Sequence, residues 1–145
     1  MGTNNAVGHL LALLEDDIPL TEAKLRSHLH VTFKVKRDGL GRKVLAAASI
    51  LPNANGVMVT AVEFRPAGAD FKGDLVIALS NSGVPSSTVA KRFPGGSWLP
   101  PPPPAKQAEA DYWVERPWGS FFFGFSHGAL QLVRFNFGQH ASPGI

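Results

Sequence analysis

Phenylalanine stands at alternate positions 121, 123 and 125 and again at 135 and 137, on either side of Ser126-His127-Gly128, and six of the ten phenylalanines fall within residues 121–137. A period of two is that of a β-strand, whose successive side chains point to opposite sides. Phe121, Phe123 and Phe125 therefore share one face of a strand over 120–125. Val133, Phe135 and Phe137 share one face of its neighbour over 129–137. Each ring removes about 150–250 Å² from water when covered, and a two-stranded hairpin cannot bury such a face by itself. The rest of the chain has to provide the cover. The opposite side of the hairpin carries Phe122 and Arg134, which makes it a candidate partner surface.

The remaining elements follow from periodicity and turn chemistry. The run VGHLLALL, 7–14, suits a short buried helix, and Pro19 interrupts it. Thr21 reads as the N-cap or a first-turn residue of a second helix over about 21–29 with Ala23, Leu25 and Leu29 available to the core. From His30 the period changes to two: Val31, Phe33 and Val35 take one face and Thr32, Lys34 and Lys36 the other. Asp38-Gly39-Leu40-Gly41 turns the chain into a returning strand through Val44, Ala46 and Ala48. A turn at Pro52–Gly56, strands over 57–64 and 75–79, and a helix over 86–92 capped by Ser86 or Ser87 come next. Pro100–Pro104 is an unbroken run of five prolines, read as a stiff extended loop within 99–110, with a docking segment for a proline-recognising domain as the alternative. A strand over 112–115 and a Pro117-Trp118-Gly119 bend lead into the aromatic hairpin. The expected fold is α+β, an antiparallel sheet with short helices packed on one face. It forms a single domain, 1–145, with halves at 1–81 and 82–145.

Charge is unevenly placed. Residues 1–23 carry −4, residues 24–43 carry +6 and the other 102 carry +1. Lys34, Lys36, Arg37, Arg42 and Lys43 thus form a basic hairpin, either a solvated ribbon or a steering patch for an acidic partner. The aromatics lie in 112–137, away from this hairpin in sequence, so binding of a nucleic-acid strand by stacking plus phosphate contacts is a weaker reading.

Catalytic patterns are poorly met. Gly124-Phe125-Ser126-His127-Gly128 fits G-x-S-x-G, but a nucleophile elbow needs a strand-to-helix turn and a later acid, and here a strand pattern follows. No acid occurs after Glu115. His28 and His30 could share a face but lack further ligands at zinc spacing, so no metal site is expected. Cysteine is absent, which removes disulfides and thiolate chemistry. No apolar run reaches the roughly 18 residues of a membrane helix. No enzyme activity and no cofactor are expected.

Two stretches carry a family likeness: the helix ending in Val89-Ala90-Lys91-Arg92-Phe93-Pro94-Gly95, and, after a long loop, Asp111-Tyr112-Trp113-Val114 leading to a hairpin with Leu132-Val133-Arg134-Phe135. This order resembles the helix-plus-meander unit of the β-lactamase-inhibitor-protein family and of the small outer-membrane-assembly lipoproteins, over about residues 20–137. The five-proline insert, the extra N-terminal helix and the absence of a tryptophan from the first half depart from that pattern. The resemblance implies a non-catalytic protein-binding module, an inhibitor or immunity-type protein that neutralises a partner such as a secreted toxin. An envelope assembly component is the alternative, and the periplasm is favoured over the cytoplasm. The expected partner contacts are steering by Lys34, Lys36, Arg37, Arg42 and Lys43, anchoring by Trp98, Trp113 and Trp118, and the face of Phe122 and Arg134.

Overall fold

The structure, a computed structural model, describes residues 3–29, 31–48, 58–68, 71–80, 82–99 and 110–138. The expected turn at Pro52–Gly56 and the proline run Pro100–Pro104 lie outside the described residues. Among those described, three helices and eight strands form a mixed α/β fold that is mostly sheet.

The first helix, α1 (Thr3–Asp16), is longer than the 7–14 expected. Val7, Leu10, Leu11 and Leu14 are buried at the i, i+3, i+4, i+7 spacing of one helical stripe, while His9 is exposed. Thr21 caps α2 (Glu22–Leu29), its Oγ1 accepting from the Lys24 amide at 3.3 Å. The Lys24 ammonium donates back to the carbonyls of Asp17 and Pro19 at 2.6 and 2.9 Å, and His28 Nε2 lies 2.6 Å from Asp17 Oδ2. These bonds tie α2 to the segment that follows α1 and lock the elbow between the helices.

Strands β1 (Lys34–Arg37), β2 (Lys43–Ala48), β3 (Val59–Arg65) and β4 (Gly73–Leu79) form one antiparallel meander. Helix α3 (Ser86–Arg92) follows, with Pro85 rather than a serine at its N-cap. A second meander comprises β5 (Ser97–Leu99), β6 (Asp111–Arg116), β7 (Gly119–Ser126) and β8 (Ala129–Phe137). The two meet where β4 pairs antiparallel with β8, giving a single sheet of order β1-β2-β3-β4-β8-β7-β6-β5. Strand β5 is absent from the sequence expectations, because three residues are too few to display a period.

One cluster fills the core. Leucines and valines of α1 and α2, together with Val89 and Phe93 from and after α3, meet alternate residues of the strands, including Phe64, Ile77, Phe121, Phe123, Val133 and Phe135. The Phe93 ring lies 4.8 Å from Phe121 and 5.2 Å from Phe123, and Phe121 lies 4.8 Å from Phe135. The Tyr112 hydroxyl donates to the Phe93 carbonyl at 2.7 Å and accepts from the Gly96 amide at 3.0 Å. The aromatic hairpin is thus covered as its composition demands.

Two expectations are corrected. Val31 and Phe33 do not belong to a strand, and Val35, expected to share one strand face with them, is 61% exposed at the outer end of the sheet. Trp118, expected as a partner anchor, is 3% exposed. Its ring packs edge-on to Phe121 at 5.0 Å and against Phe135 at 5.8 Å.

Trp118 is held there by Glu15 at the end of α1. The indole Nε1–H donates to Glu15 Oε2 at 2.7 Å, and Arg116 donates to the same carboxylate through Nε at 2.7 Å and Nη2 at 3.1 Å. Three donors on one carboxylate fasten the N-terminal helix to the bend between β6 and β7. Glu15→Ala leaves a buried indole N–H and a guanidinium without their acceptor, and we expect a loss of about 2 kcal/mol, read as a lowered urea midpoint with an unchanged slope.

Candidate interaction face

Cross-strand partners lie on the same side of a sheet, so the register identifies what each face presents. One lateral row runs Lys34, Ala46, Glu63, Val76, Arg134, Phe122, Trp113, Ser97, one residue from every strand. It lies opposite the core side chains, whose own row runs through Leu45, Phe64, Leu75, Phe135, Phe121 and Val114. The period of two that buries the phenylalanines puts this second set on the outer face.

Among the described residues, two hollows lie over the row just traced. The larger, about 630 Å³, lies over the first meander; Ala46, Ala61, Val76 and Ala78 line it, with Lys34 and Lys36 beside them. The smaller, about 230 Å³, lies over the second meander among Leu99, Trp113, Ser120, Phe122, Arg134 and Asn136. Trp113 is 42% exposed there. At the wall of the smaller hollow Arg134 grips Asp74 with two parallel bonds of 2.7 Å, Nε to Oδ1 and Nη2 to Oδ2. The Asp74 hydrogen bonds hold the Arg134 guanidinium above its ordinary pKa, so it is charged throughout. Arg65 is likewise raised, first by its bond to Glu63 at 2.8 Å.

The residues expected to bind a partner are thereby sorted. Lys34, Lys36, Trp113, Phe122 and Arg134 share the outer face. Arg37 and Lys43 face each other on the opposite side of the β1–β2 ribbon, with Val35 and Leu45. Arg42 faces inward to the turn: its Nε is 3.5 Å from Asp38 Oδ2 and its guanidinium sits 4.6 Å over the Phe71 ring. Trp98 is 43% exposed but lies on the core side of β5, 4.5 Å from Tyr112. Trp98 and Trp113 therefore face opposite sides of the sheet and cannot both anchor one flat partner. The basic and aromatic parts of the outer row lie five strand spacings apart from Lys34 to Phe122, about 24 Å. That is too far for a single nucleotide to use both.

Sequence reasoning missed the alanine floor and the acids Glu63 and Asp74, because their meaning depends on which strands become neighbours. The returning strand through Ala46 was visible; the pairing of β4 with β8 was not. The G-x-S-x-G stretch forms a hairpin turn between β7 and β8, with His127 and Gly128 both at positive φ, 53° and 78°. Among the described residues no group of three or more His, Asp or Glu side chains could hold a metal ion, and no helix is long and apolar enough to cross a membrane. His30 lies outside the described residues.

The basic hairpin is shaped by Asp38. Its Oδ1 accepts from the amides of Leu40 and Arg42, both at 2.9 Å, and Gly41 takes φ +78°. The Arg42 amide above all, with Leu40 and Arg65, holds the Asp38 carboxyl below its ordinary 3.8 against a smaller opposing effect of burial. Stability from this turn is fully present above pH 3.8 and is lost as pH falls through the lowered value.

No family model, no curated protein and no solved structure matches the chain.

Asp38→Asn removes the charge and weakens both amide bonds. The variant is expected to unfold at lower urea at pH 7 and to lose part of the wild-type decline below pH 3.8, measured by urea titration across pH.

Proposed function

We propose that the chain is a non-catalytic protein-binding module of inhibitor or immunity type, and that it neutralises a partner protein by presenting the outer face of its sheet. On this reading the helices pack on one face, each half is a helix-plus-meander unit as in the β-lactamase-inhibitor-protein family, and the other face is left for the partner. The observation that carries it is the pairing of half-exposed Trp113 with Phe122 and Arg134 across three adjacent strands. Exposed tryptophan beside phenylalanine and a fixed arginine is the composition of a binding hot spot. The side chains ride on hydrogen-bonded strands rather than loops, so little order has to be gained on binding.

Lys34 and Lys36 on the same face add long-range attraction for an acidic partner, which raises the association rate more than the affinity. Arg42 and Trp118, absorbed by the turn and the core, contribute shape to the module and no contact.

The test is capture of partners from source cells on the immobilised chain, repeated at high salt, followed by titration of the recovered protein. Trp113→Ala together with Phe122→Ala should weaken that protein about a hundredfold while leaving the circular-dichroism melt unchanged. Undiminished affinity in the double variant, or recovery of nucleic acid alone, would overturn the proposal.

A further inference from the structure

The larger hollow has an electrostatic asymmetry. Its acid Glu63 is already bonded to Arg65, and Asp74, two residues along β4 from the lining Val76, is bonded to Arg134. Lys34 and Lys36 are exposed and, among the described residues, neither makes an ion pair. The rim is therefore left with two positive charges above a floor of Ala46, Ala61, Val76 and Ala78. An apolar floor with an unbalanced cationic rim selects a ligand that is apolar on one stripe and anionic on the next.

The spacing narrows the ligand further. Lys34 and Lys36 sit two residues apart on one side of β1, about 6.6 Å along the strand. Carboxylates at positions i and i+4 of a helix are about 6 Å apart along its axis, and apolar residues at i+3 and i+7 adjoin them. An extended peptide would send neighbouring acidic and apolar side chains to opposite sides. Alanine side chains also leave room for a partner's larger ones, and a helix laid on an open sheet face is an ordinary layer packing.

We propose that the partner presents an acidic amphipathic helix to this hollow, with two carboxylates one turn apart on Lys34 and Lys36 and its apolar stripe on the alanine floor. This rests on the protein-binding reading above and names the chemistry of what is bound.

The probe is a helical peptide with Glu at i and i+4 and Leu at i+3 and i+7. It is titrated into the full chain while the methyl NMR signals of Ala46, Ala61, Val76 and Ala78 are followed. These signals should shift, and Lys34→Glu with Lys36→Glu should weaken the peptide about tenfold or more. Trp113→Ala should not. A peptide with Lys in place of Glu, or Ser in place of Leu, should leave the signals still. The proposal is overturned if these methyls do not move, if the Lys peptide moves them equally, or if dodecanoate moves them and the Glu peptide does not. The recovered partner separates the two readings. If it is weakened by the Trp113/Phe122 change and indifferent to the Lys34/Lys36 change, the helix proposal falls and the binding-module reading stands. If it is indifferent to both, both fall.

Discussion

The fold depends on one strand pairing, that of β4 with β8. Each meander can form from neighbours in sequence, but only the registers Leu75–Phe135 and Ile77–Val133 make the two into one sheet and one core. The seam is tightly fitted. Gly73 has no room for a Cβ, which would come within 2.5 Å of the Phe137 ring, and that ring stacks on Phe64 from β3 at 6.4 Å. On the other side of the same seam Arg134 reaches diagonally to Asp74. Apolar packing on one face and a charge-assisted fork on the other hold the same two strands.

The two faces use different chemistry because they meet different neighbours. The inner face spends the phenylalanines, whose area is useful only when covered. The outer face pairs its acids locally, Glu63 with Arg65 and Asp74 with Arg134, leaves Lys34 and Lys36 without an ion pair among the described residues, and keeps its side chains small over the first meander and aromatic over the second. This division is why a basic hairpin and a tryptophan far apart in sequence can act on one surface.

Much of the architecture was legible in the chain itself. The Phe121/Phe123/Phe125 alternation, the Asp38–Gly41 turn, the Thr21 cap and the meander strands are local signals, and the structure places them in the corresponding elements. What was not legible is set by distant partners. Trp118 reads as an exposed bend residue until Glu15, 103 positions earlier, accepts its N–H. Val35 reads as part of an apolar strand face with Val31 and Phe33 until β1 is seen to begin at Lys34 and to lie at the end of the sheet order, with a burial pattern exposed at all four residues. Of the candidate surface, the residue types were visible and their distribution between faces was not, since Trp98 and Trp113 are sorted only by the three-residue pairing of β5.

The position of β8 has a consequence for how the chain comes together. The strand that completes the middle of the sheet is the last described one in sequence, so the first meander is made before its central neighbour exists. During that interval the free edge of β4 is a row of unsatisfied amides and carbonyls, a template for pairing with another molecule. Asp74 lies on that edge, and its partner Arg134 comes 60 residues later. Within the first meander the cross-strand partner of Asp74 is Arg65, and a charged side chain on an unpaired strand edge disfavours pairing with another molecule.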